Sequence, residues 1–201
     1  VTLSHTGYIK SQPIAEYRAQ RRGGRGKQAA GKKDDDWIEQ LFIANTHDTI
    51  LCFSDRGRVY WIKVWEVPQG TRTSRGRPIV NLFPLADGEK ITAMLPVRQF
   101  DEDSYVFMAT RLGTVKKTPL TDFSNPRKAG IIAVDLGEDD HLVGVALTDG
   151  HHDVMLFSDG GKAVRFHEGD ARPMGRNARG VRGMFLEEGQ SVISMLVAET
   201  E

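Results

Sequence analysis

A short segment rich in glycine and arginine carries the clearest chemical signal in this sequence. From Tyr17 to Lys33 there are seven basic residues and no acidic residue, and the centre of the segment reads Gln20-Arg21-Arg22-Gly23-Gly24-Arg25-Gly26. An arginine guanidinium offers a planar fork of donors to phosphate oxygens, and glycine lets backbone N–H groups approach the same anion. This segment has no regularly spaced apolar side chains that could be buried, so we predict an exposed loop that binds phosphate groups.

Neighbouring patterns that resemble nucleotide or metal sites are weaker. Residues 26–33 read G-x-x-x-x-G-K-K, but Lys33 stands where a P-loop has the Ser or Thr that holds magnesium. The pair His151-His152 and the acidic runs 34–36, 101–103 and 138–140 fall in predicted turns, where a solvated surface is the expected role. No catalytic triad or carboxylate pair is recognisable, and a catalytic group could only be assembled across distant segments. We therefore expect no catalytic residue, no metal site and no cofactor in this chain.

A fourfold repeat supplies the elements that position the basic segment. A Ser or Thr followed three residues later by Gly recurs after apolar runs, and these anchor glycines are Gly7, Gly57, Gly113 and Gly161. A second glycine follows each anchor after 17 to 19 residues, at Gly26, Gly76, Gly130 and Gly180. Apolar runs on both sides of each anchor are typical of β-hairpins, and no long stretch has helical periodicity.

Repeats of about 50 residues, each with four short strands, are typical of propeller blades. We predict an all-β, propeller-like fold with about four repeats of four-stranded blades. The predicted repeats are residues 1–48, 49–103, 104–152 and 153–201, in one domain over residues 1–201.

The composition agrees with a folded protein. The 201 residues are 39% hydrophobic and 27% charged, which is too apolar for a disordered chain and sufficient for a substantial core. No apolar run approaches the roughly 20 residues that cross a bilayer, and the first residues do not resemble a signal peptide. The single cysteine, Cys52, excludes a disulfide scaffold. We expect a soluble cytoplasmic protein without a membrane partner.

The net charge of zero conceals a strong internal segregation. The four windows between paired glycines, 7–26, 57–76, 113–130 and 161–180, contain 18 basic and 5 acidic residues. The other 123 residues contain 9 basic and 22 acidic residues. Isolated basic runs usually only keep loops soluble, but four windows at the same place in each repeat predict one basic rim. Such a rim is the electrostatic footprint of polyanion binding.

The heptad from Gln20 to Gly26 matches the signature Q-[RK]-R-G-G-[RK]-G, and the chain thereby resembles the C-terminal DNA-wrapping domains of bacterial DNA gyrase A subunits. The four repeats and the segments 44–48 and 75–82 are also similar to that family, so the resemblance covers the whole chain. It implies a β-pinwheel, which is a propeller-like spiral with exchanged strands. The family normally has six blades, so four recognisable repeats predict a fragment of a six-bladed domain.

The predicted DNA contacts fall into two groups. The first is the heptad, called the gyrase A box in that family, with the adjacent lysine: Gln20, Arg21, Arg22, Gly23, Gly24, Arg25, Gly26 and Lys27. The second is the rest of the basic rim: Lys10, Arg18, Lys63, Arg72, Arg75, Lys116, Lys117, Arg127, Lys128, Lys162, Arg165, Arg176 and Arg179. Because phosphates dominate such contacts, we expect little sequence preference.

The function predicted from these features is bending and chiral wrapping of double-stranded DNA. The resemblance implies that this wrapping supports ATP-dependent negative supercoiling by a type II topoisomerase in the bacterial cytoplasm, at the chromosome. It also implies a heterotetramer with the rest of the gyrase A polypeptide and with the gyrase B polypeptide, in which ATP and Mg act outside this chain. Two alternatives are the C-terminal domain of topoisomerase IV, which the intact heptad disfavours, and a propeller that binds other proteins. An enzyme that processes glycans or nucleotides is a more distant third, because no site for it is recognisable.

Overall fold

The computed structural model describes residues 1–16 and 36–200, which contain short β-strands and single-turn 3-10 helices. The strands are β1 (Thr2–Ser4), β2 (Tyr8–Lys10), β3 (Ile38–Leu41), β4 (Thr49–Ser54), β5 (Arg58–Lys63), β6 (Arg77–Pro78), β7 (Ile91–Val97), β8 (Tyr105–Thr110), β9 (Thr114–Pro119), β10 (Ile131–Ile132), β11 (Leu142–Thr148), β12 (His152–Ser158), β13 (Ala163–His167), β14 (Val181–Arg182) and β15 (Val192–Glu199). The 3-10 helices are η1 (Ile14–Glu16), η2 (Val64–Glu66), η3 (Ile79–Asn81), η4 (Leu120–Phe123) and η5 (Glu168–Asp170). No helix in this described part is long and apolar enough to span a bilayer.

The strands form four antiparallel sheets, with the orders β3-β1-β2-β6, β10-β5-β4-β7, β11-β8-β9-β14 and β13-β12-β15. In the first three sheets one edge strand, β6, β10 or β14, comes from the following repeat. The predicted all-β, propeller-like fold is therefore confirmed, and its sheets exchange strands as the resemblance implied. The fourth sheet has three strands within the described residues, one fewer than expected, and it lacks an edge strand equivalent to β6, β10 and β14.

Hydrophobic cores lie between successive sheets. Ile50 and Cys52 on β4 pack toward the first sheet, whereas Leu51 and Phe53 pack toward the third. Side chains of a strand point alternately to its two faces, so β4 contributes to two cores at once. A third core, which includes Phe107, joins the third and fourth sheets. Each core is thus built from the facing surfaces of two neighbouring sheets.

The exchanged strands lie at the outer edges of the sheets. β11 packs against both β7 and β15. The Gln40 side chain on β3 donates to the Thr92 carbonyl and accepts from the Met94 N–H on β7, both at 2.9 Å. The strands β3, β7, β11 and β15 therefore form the inner edges, and β6, β10 and β14 occupy the opposite edges of their sheets.

The second glycines of the last three repeats, Gly76, Gly130 and Gly180, mark the points where the chain meets the preceding sheet. Gly76 and Gly180 have φ values of +87° and +110°. A Cβ atom at either position would overlap a carbonyl oxygen of the preceding sheet, that of Ile9 or that of Val115. Only glycine permits both the positive φ and the close approach. The sequence repeat therefore reflects the geometry of strand exchange.

Candidate nucleic-acid interface

Three stretches of chain run along the outer edges of the first three sheets. We call them the exchange segments: residues 68–78 lie along β2, residues 124–132 along β5, and residues 173–183 along β9. Together they contain eight basic residues and no acidic residue. Charge of one sign therefore recurs at equivalent places on successive blades, and we call this combined surface the basic perimeter.

Two buried lysines hold exchange segments against the preceding sheets. The Lys10 ammonium donates to the Thr71 carbonyl at 2.7 Å. The Lys116 ammonium donates to the carbonyls of Ala133 and Arg176, at 2.7 and 2.5 Å. Burial lowers the pKa of Lys10 and lowers that of Lys116 to about 8. Both side chains are 1% exposed, so they have a structural role and are not available to phosphates in solution.

Lys117 is also buried, at 5% exposure. Its ammonium lies 4.8 Å from the centre of the Tyr105 ring and donates to the Glu168 carbonyl at 3.3 Å. The exposed rim expected from the sequence therefore does not include Lys10, Lys116 or Lys117. The physical reason is that their long side chains reach carbonyl groups in adjoining segments of the same polypeptide. The sequence pattern does not reveal these contacts.

The other described residues of the predicted rim are accessible to different degrees. Exposed positions are Lys63, Arg127, Lys128, Lys162, Arg165 and Arg179, and half-buried positions are Arg72, Arg75 and Arg176. Of these nine, the exchange segments bring together Arg72, Arg75, Arg127, Lys128, Arg176 and Arg179, whereas Lys63, Lys162 and Arg165 lie outside them.

Some rim side chains already have partners within the protein. The Arg75 guanidinium lies 4.1 Å from the centre of the Tyr8 ring, which is a cation–π distance. Arg165 forms an ion pair with Asp153 at 2.7 Å. Arg179 lies 3.4 Å from an oxygen of Asp135. Because both arginine side chains are exposed, the ion pairs contribute little to stability and leave the basic groups near the surface.

Sequence reasoning missed two exposed arginines on the exchanged strands, Arg77 on β6 and Arg182 on β14. Each comes shortly after the second glycine of its repeat, whereas the charge windows ended at that glycine. It also missed Arg58, whose guanidinium donates to the Ala129 carbonyl of an exchange segment at 2.8 Å. The sequence does contain a signal for both residues, because Arg77 follows Gly76 by one residue and Arg182 follows Gly180 by two.

The heptad falls outside the described residues. Gln20, Arg21, Arg22, Gly23, Gly24, Arg25 and Gly26 lie there, together with Arg18 and Lys27. The prediction that these residues contact DNA stays a prediction from sequence.

Clusters of acidic residues lie in a different part of the second, third and fourth blades. The acidic turns 87–89, 138–140 and 187–188 directly precede the inner strands β7, β11 and β15. Basic residues on the outer edge and acidic turns next to the inner strands explain how a chain of zero net charge presents a positive surface. A surface of this kind attracts a polyanion through its summed potential.

Several known proteins are similar to this chain. The DNA gyrase A polypeptide of Klebsiella oxytoca is 60% identical over 201 residues, which are 100% of this chain and 23% of that protein. The DNA gyrase A polypeptide of Escherichia coli (strain K12) is 59% identical over 197 residues, which are 98% of this chain and 22% of that protein. This chain thus spans less than a quarter of the length of these relatives.

Two solved structures show the same architecture. The crystal structure of the C-terminal domain of DNA topoisomerase IV has a TM-score of 0.82 at 30% identity and covers 99% of this chain and 60% of its own. A structure of the DNA gyrase A C-terminal domain has a TM-score of 0.76 at 28% identity and covers 98% of this chain and 63% of its own.

The strand exchange and the basic perimeter define the class of this protein, a propeller-like β-pinwheel with a positive outer edge. The family model described as the DNA gyrase C-terminal domain, a β-propeller, matches residues 1–45, 48–98, 104–149 and 152–199. The chain therefore belongs to the DNA gyrase C-terminal domain family. The resemblance inferred from the heptad and the repeats is confirmed.

Proposed function

We propose that this chain binds double-stranded DNA along the basic perimeter and bends it around the blades. The observation that carries the proposal is the recurrence of basic residues, without acidic ones, on the three exchange segments. A duplex presents one phosphate charge per about 1.7 Å of its axis, so a positive outer edge offers it many equivalent contacts. Such contacts fix the position of the duplex and carry no sequence information directly.

The energetic balance favours bending when several blades contribute. Bending 20–30 base pairs by 40–90° costs on the order of 1–6 kcal/mol, and added phosphate contacts can offset this cost. Because strand exchange has the same direction in each of the first three sheets, a duplex that follows the perimeter would curve with one hand. The wrap would therefore be chiral.

We further infer that the chain acts within DNA gyrase. Its relatives are DNA gyrase A polypeptides at 59–60% identity over nearly the whole chain. In that assembly, the rest of the gyrase A polypeptide and the gyrase B polypeptide would perform ATP-dependent strand passage in the bacterial cytoplasm, and the chiral wrap would direct it toward negative supercoils. The chain itself would contribute no catalytic residue.

The proposed domain organisation is a single pinwheel over residues 1–201 that forms part of a six-bladed domain. It is supported by the outer edge of β13, which has no partner strand in the described part, whereas β2, β5 and β9 each pair with a strand of the next repeat.

The second candidate is the C-terminal domain of topoisomerase IV, which the superposition at TM-score 0.82 favours. The gyrase A polypeptides of Klebsiella oxytoca and Escherichia coli are 59–60% identical to this chain, against 30% for this topoisomerase IV domain, and the heptad is intact. We therefore prefer gyrase. A propeller that binds only proteins would leave the basic perimeter unexplained.

A salt titration with matched variants tests the proposed interface. Binding of a mixed-sequence duplex is measured by anisotropy for the wild type, for Arg127→Ala/Lys128→Ala on an exchange segment, and for Lys90→Ala/Arg98→Ala. All four positions are exposed and both double variants remove two positive charges, but residues 90 and 98 flank the inner strand β7. The log–log salt slope should become shallower by about 1 to 2 in the first variant only, because each lost phosphate contact removes about 0.9. Equal effects of both variants would contradict a defined perimeter.

A further inference from the structure

The fourth blade buries a carboxylate where two earlier blades bury an aliphatic side chain. Glu168 follows its anchor glycine, Gly161, by seven residues, as Val64 and Leu120 follow theirs. Val64 is 8% exposed, Leu120 is 1% exposed and Glu168 is 0% exposed. An ionised carboxylate in such a place is costly unless a counter-charge or a metal compensates it. Glu168 therefore requires a partner that the other blades do not need.

Two further potential ligands surround this carboxylate. The Nδ1 atom of His152 lies 2.9 Å from Oδ1 of Asp149 and 3.5 Å from Oε1 of Glu168. One ligand atom from each of the three residues lies within 4.8 Å of the others. His152 is largely buried and Asp149 is exposed, so the cluster has a closed side and a side open to water.

The hydrogen bonds of the cluster leave one buried atom without a partner. Oε1 of Glu168 accepts the backbone N–H of His152 at 3.0 Å. Oε2 of Glu168 is buried and forms no hydrogen bond within the described residues. Buried polar atoms are almost always satisfied, so Oε2 indicates a missing partner.

We propose that Asp149, His152 and Glu168 bind a divalent transition-metal ion, with Zn²⁺ as the best match. Two carboxylates and one imidazole are a ligand set that zinc accepts, with a water molecule in the fourth position. Ligand atoms at zinc's usual bond lengths in a tetrahedral site lie about 3.4 Å apart, close to the 3.5 Å between Nδ1 of His152 and Oε1 of Glu168. Magnesium and calcium prefer oxygen ligands alone, so the imidazole disfavours them.

A neighbouring hydrogen bond holds one of the proposed ligands in place. The His151 backbone N–H donates to Oδ1 of Asp149 at 3.0 Å and so fixes this carboxylate beside the imidazole. Lys117 donates to the Glu168 carbonyl rather than to its carboxylate, which leaves the carboxylate oxygens to the cluster.

The metal would join the start of β12 to η5 at the end of the same hairpin. The chain continues from η5 into the third exchange segment, in which the Met174 N–H donates to the Lys117 carbonyl on β9 at 2.7 Å. The ion would therefore stabilise the fourth blade close to the point where its chain crosses to the third blade.

Zinc uptake by the full chain tests the proposal. The metal-free wild type is dialysed against Zn²⁺ alone, bound zinc is counted per chain, and thermal unfolding is followed with and without zinc. The variants are His152→Ser, which places the residue found at Ser104 of the third repeat, and Glu168→Leu, which places the residue found at Leu120. His151→Ser is the matched control, since it removes an exposed histidine one position away.

We expect one zinc ion per wild-type chain and an unfolding midpoint that rises with zinc. His152→Ser and Glu168→Leu should lose at least tenfold in affinity and the zinc-dependent shift, whereas His151→Ser should retain both. Glu168→Leu should remain folded without metal because it restores the aliphatic residue of the other blades, so its loss of binding would not reflect unfolding. No uptake by the wild type, or equal uptake by Glu168→Leu, would overturn the proposal and leave a metal-free network of charged groups.

Discussion

Lysines have two distinct roles in this molecule at the scale of single residues. Lys128 is exposed on an exchange segment, whereas Lys116 lies beneath another one with its ammonium directed at two carbonyl groups. A buried ammonium costs free energy through lost hydration, and hydrogen bonds to carbonyl oxygens recover only part of it. The pKa of Lys116, lowered to about 8, is the measurable sign of this cost.

The lowered pKa of Lys116 predicts a specific pH dependence of stability. The unfolded chain has a lysine pKa near 10.4 and therefore binds more protons than the folded chain between about pH 8 and 10.4. The free energy of unfolding should gain from this residue as pH rises through that window, and the penalty should be complete below pH 8. Urea unfolding of the wild type and of Lys116→Met at pH 7.5 and pH 10 measures it. The wild type should gain stability relative to the variant at the higher pH, and parallel pH profiles would contradict the assignment.

At the scale of elements, strand exchange depends on a few close backbone contacts. The exchanged strands β6, β10 and β14 have two residues each, so they contribute little pairing on their own. Their position is set by the glycine that precedes them, by hydrogen bonds to the hairpin turn of the preceding sheet, and by buried lysines such as Lys10.

A series of glycine substitutions separates backbone strain from steric overlap. Gly76→Ala and Gly180→Ala combine a positive φ with overlap on a carbonyl oxygen and should destabilise the chain by at least about 1–3 kcal/mol. At Gly161 the backbone φ is positive but the space around an added Cβ is open, so Gly161→Ala should cost only the backbone strain. Gly137→Ala has neither and should be close to neutral. Urea unfolding should rank the three classes in this order, and a Gly76→Ala variant as stable as Gly137→Ala would contradict the account.

The sequence predicted the fold well because its signals are local and repeated. Anchor glycines and β-rich runs predict hairpins, and four copies of them predict blades. Strand exchange was predicted only through the family resemblance. A two-residue strand such as β6 is too short to show the alternating apolar pattern of a β-strand. The burial of Lys10 and Lys116 was missed for a related reason, since each ammonium donates to a carbonyl group in the following repeat. The Asp149, His152 and Glu168 cluster was missed because its residues come together only when β12 and η5 meet.

At the scale of the whole molecule, the proposed DNA binding depends on charge placement rather than on net charge. The chain is neutral overall, yet all charged residues of the exchange segments are basic, and the turns before the inner strands are acidic. Each of the first three blades carries one exchange segment at its outer edge, and the cores between sheets keep these segments in a fixed relation. A duplex bound to several of them would have to follow their curvature.

The most direct test of this account is a change of DNA linking number. A relaxed nicked circle is ligated at low salt with the wild type, with Arg77→Ala/Arg127→Ala/Arg182→Ala on the exchange segments, and with Arg21→Ala/Arg22→Ala/Arg25→Ala in the heptad. The account predicts a shift in linking number that grows with the ratio of protein to DNA and is lost or strongly reduced in both triple variants. An unchanged linking number at protein concentrations that saturate the DNA would contradict chiral wrapping around the basic perimeter.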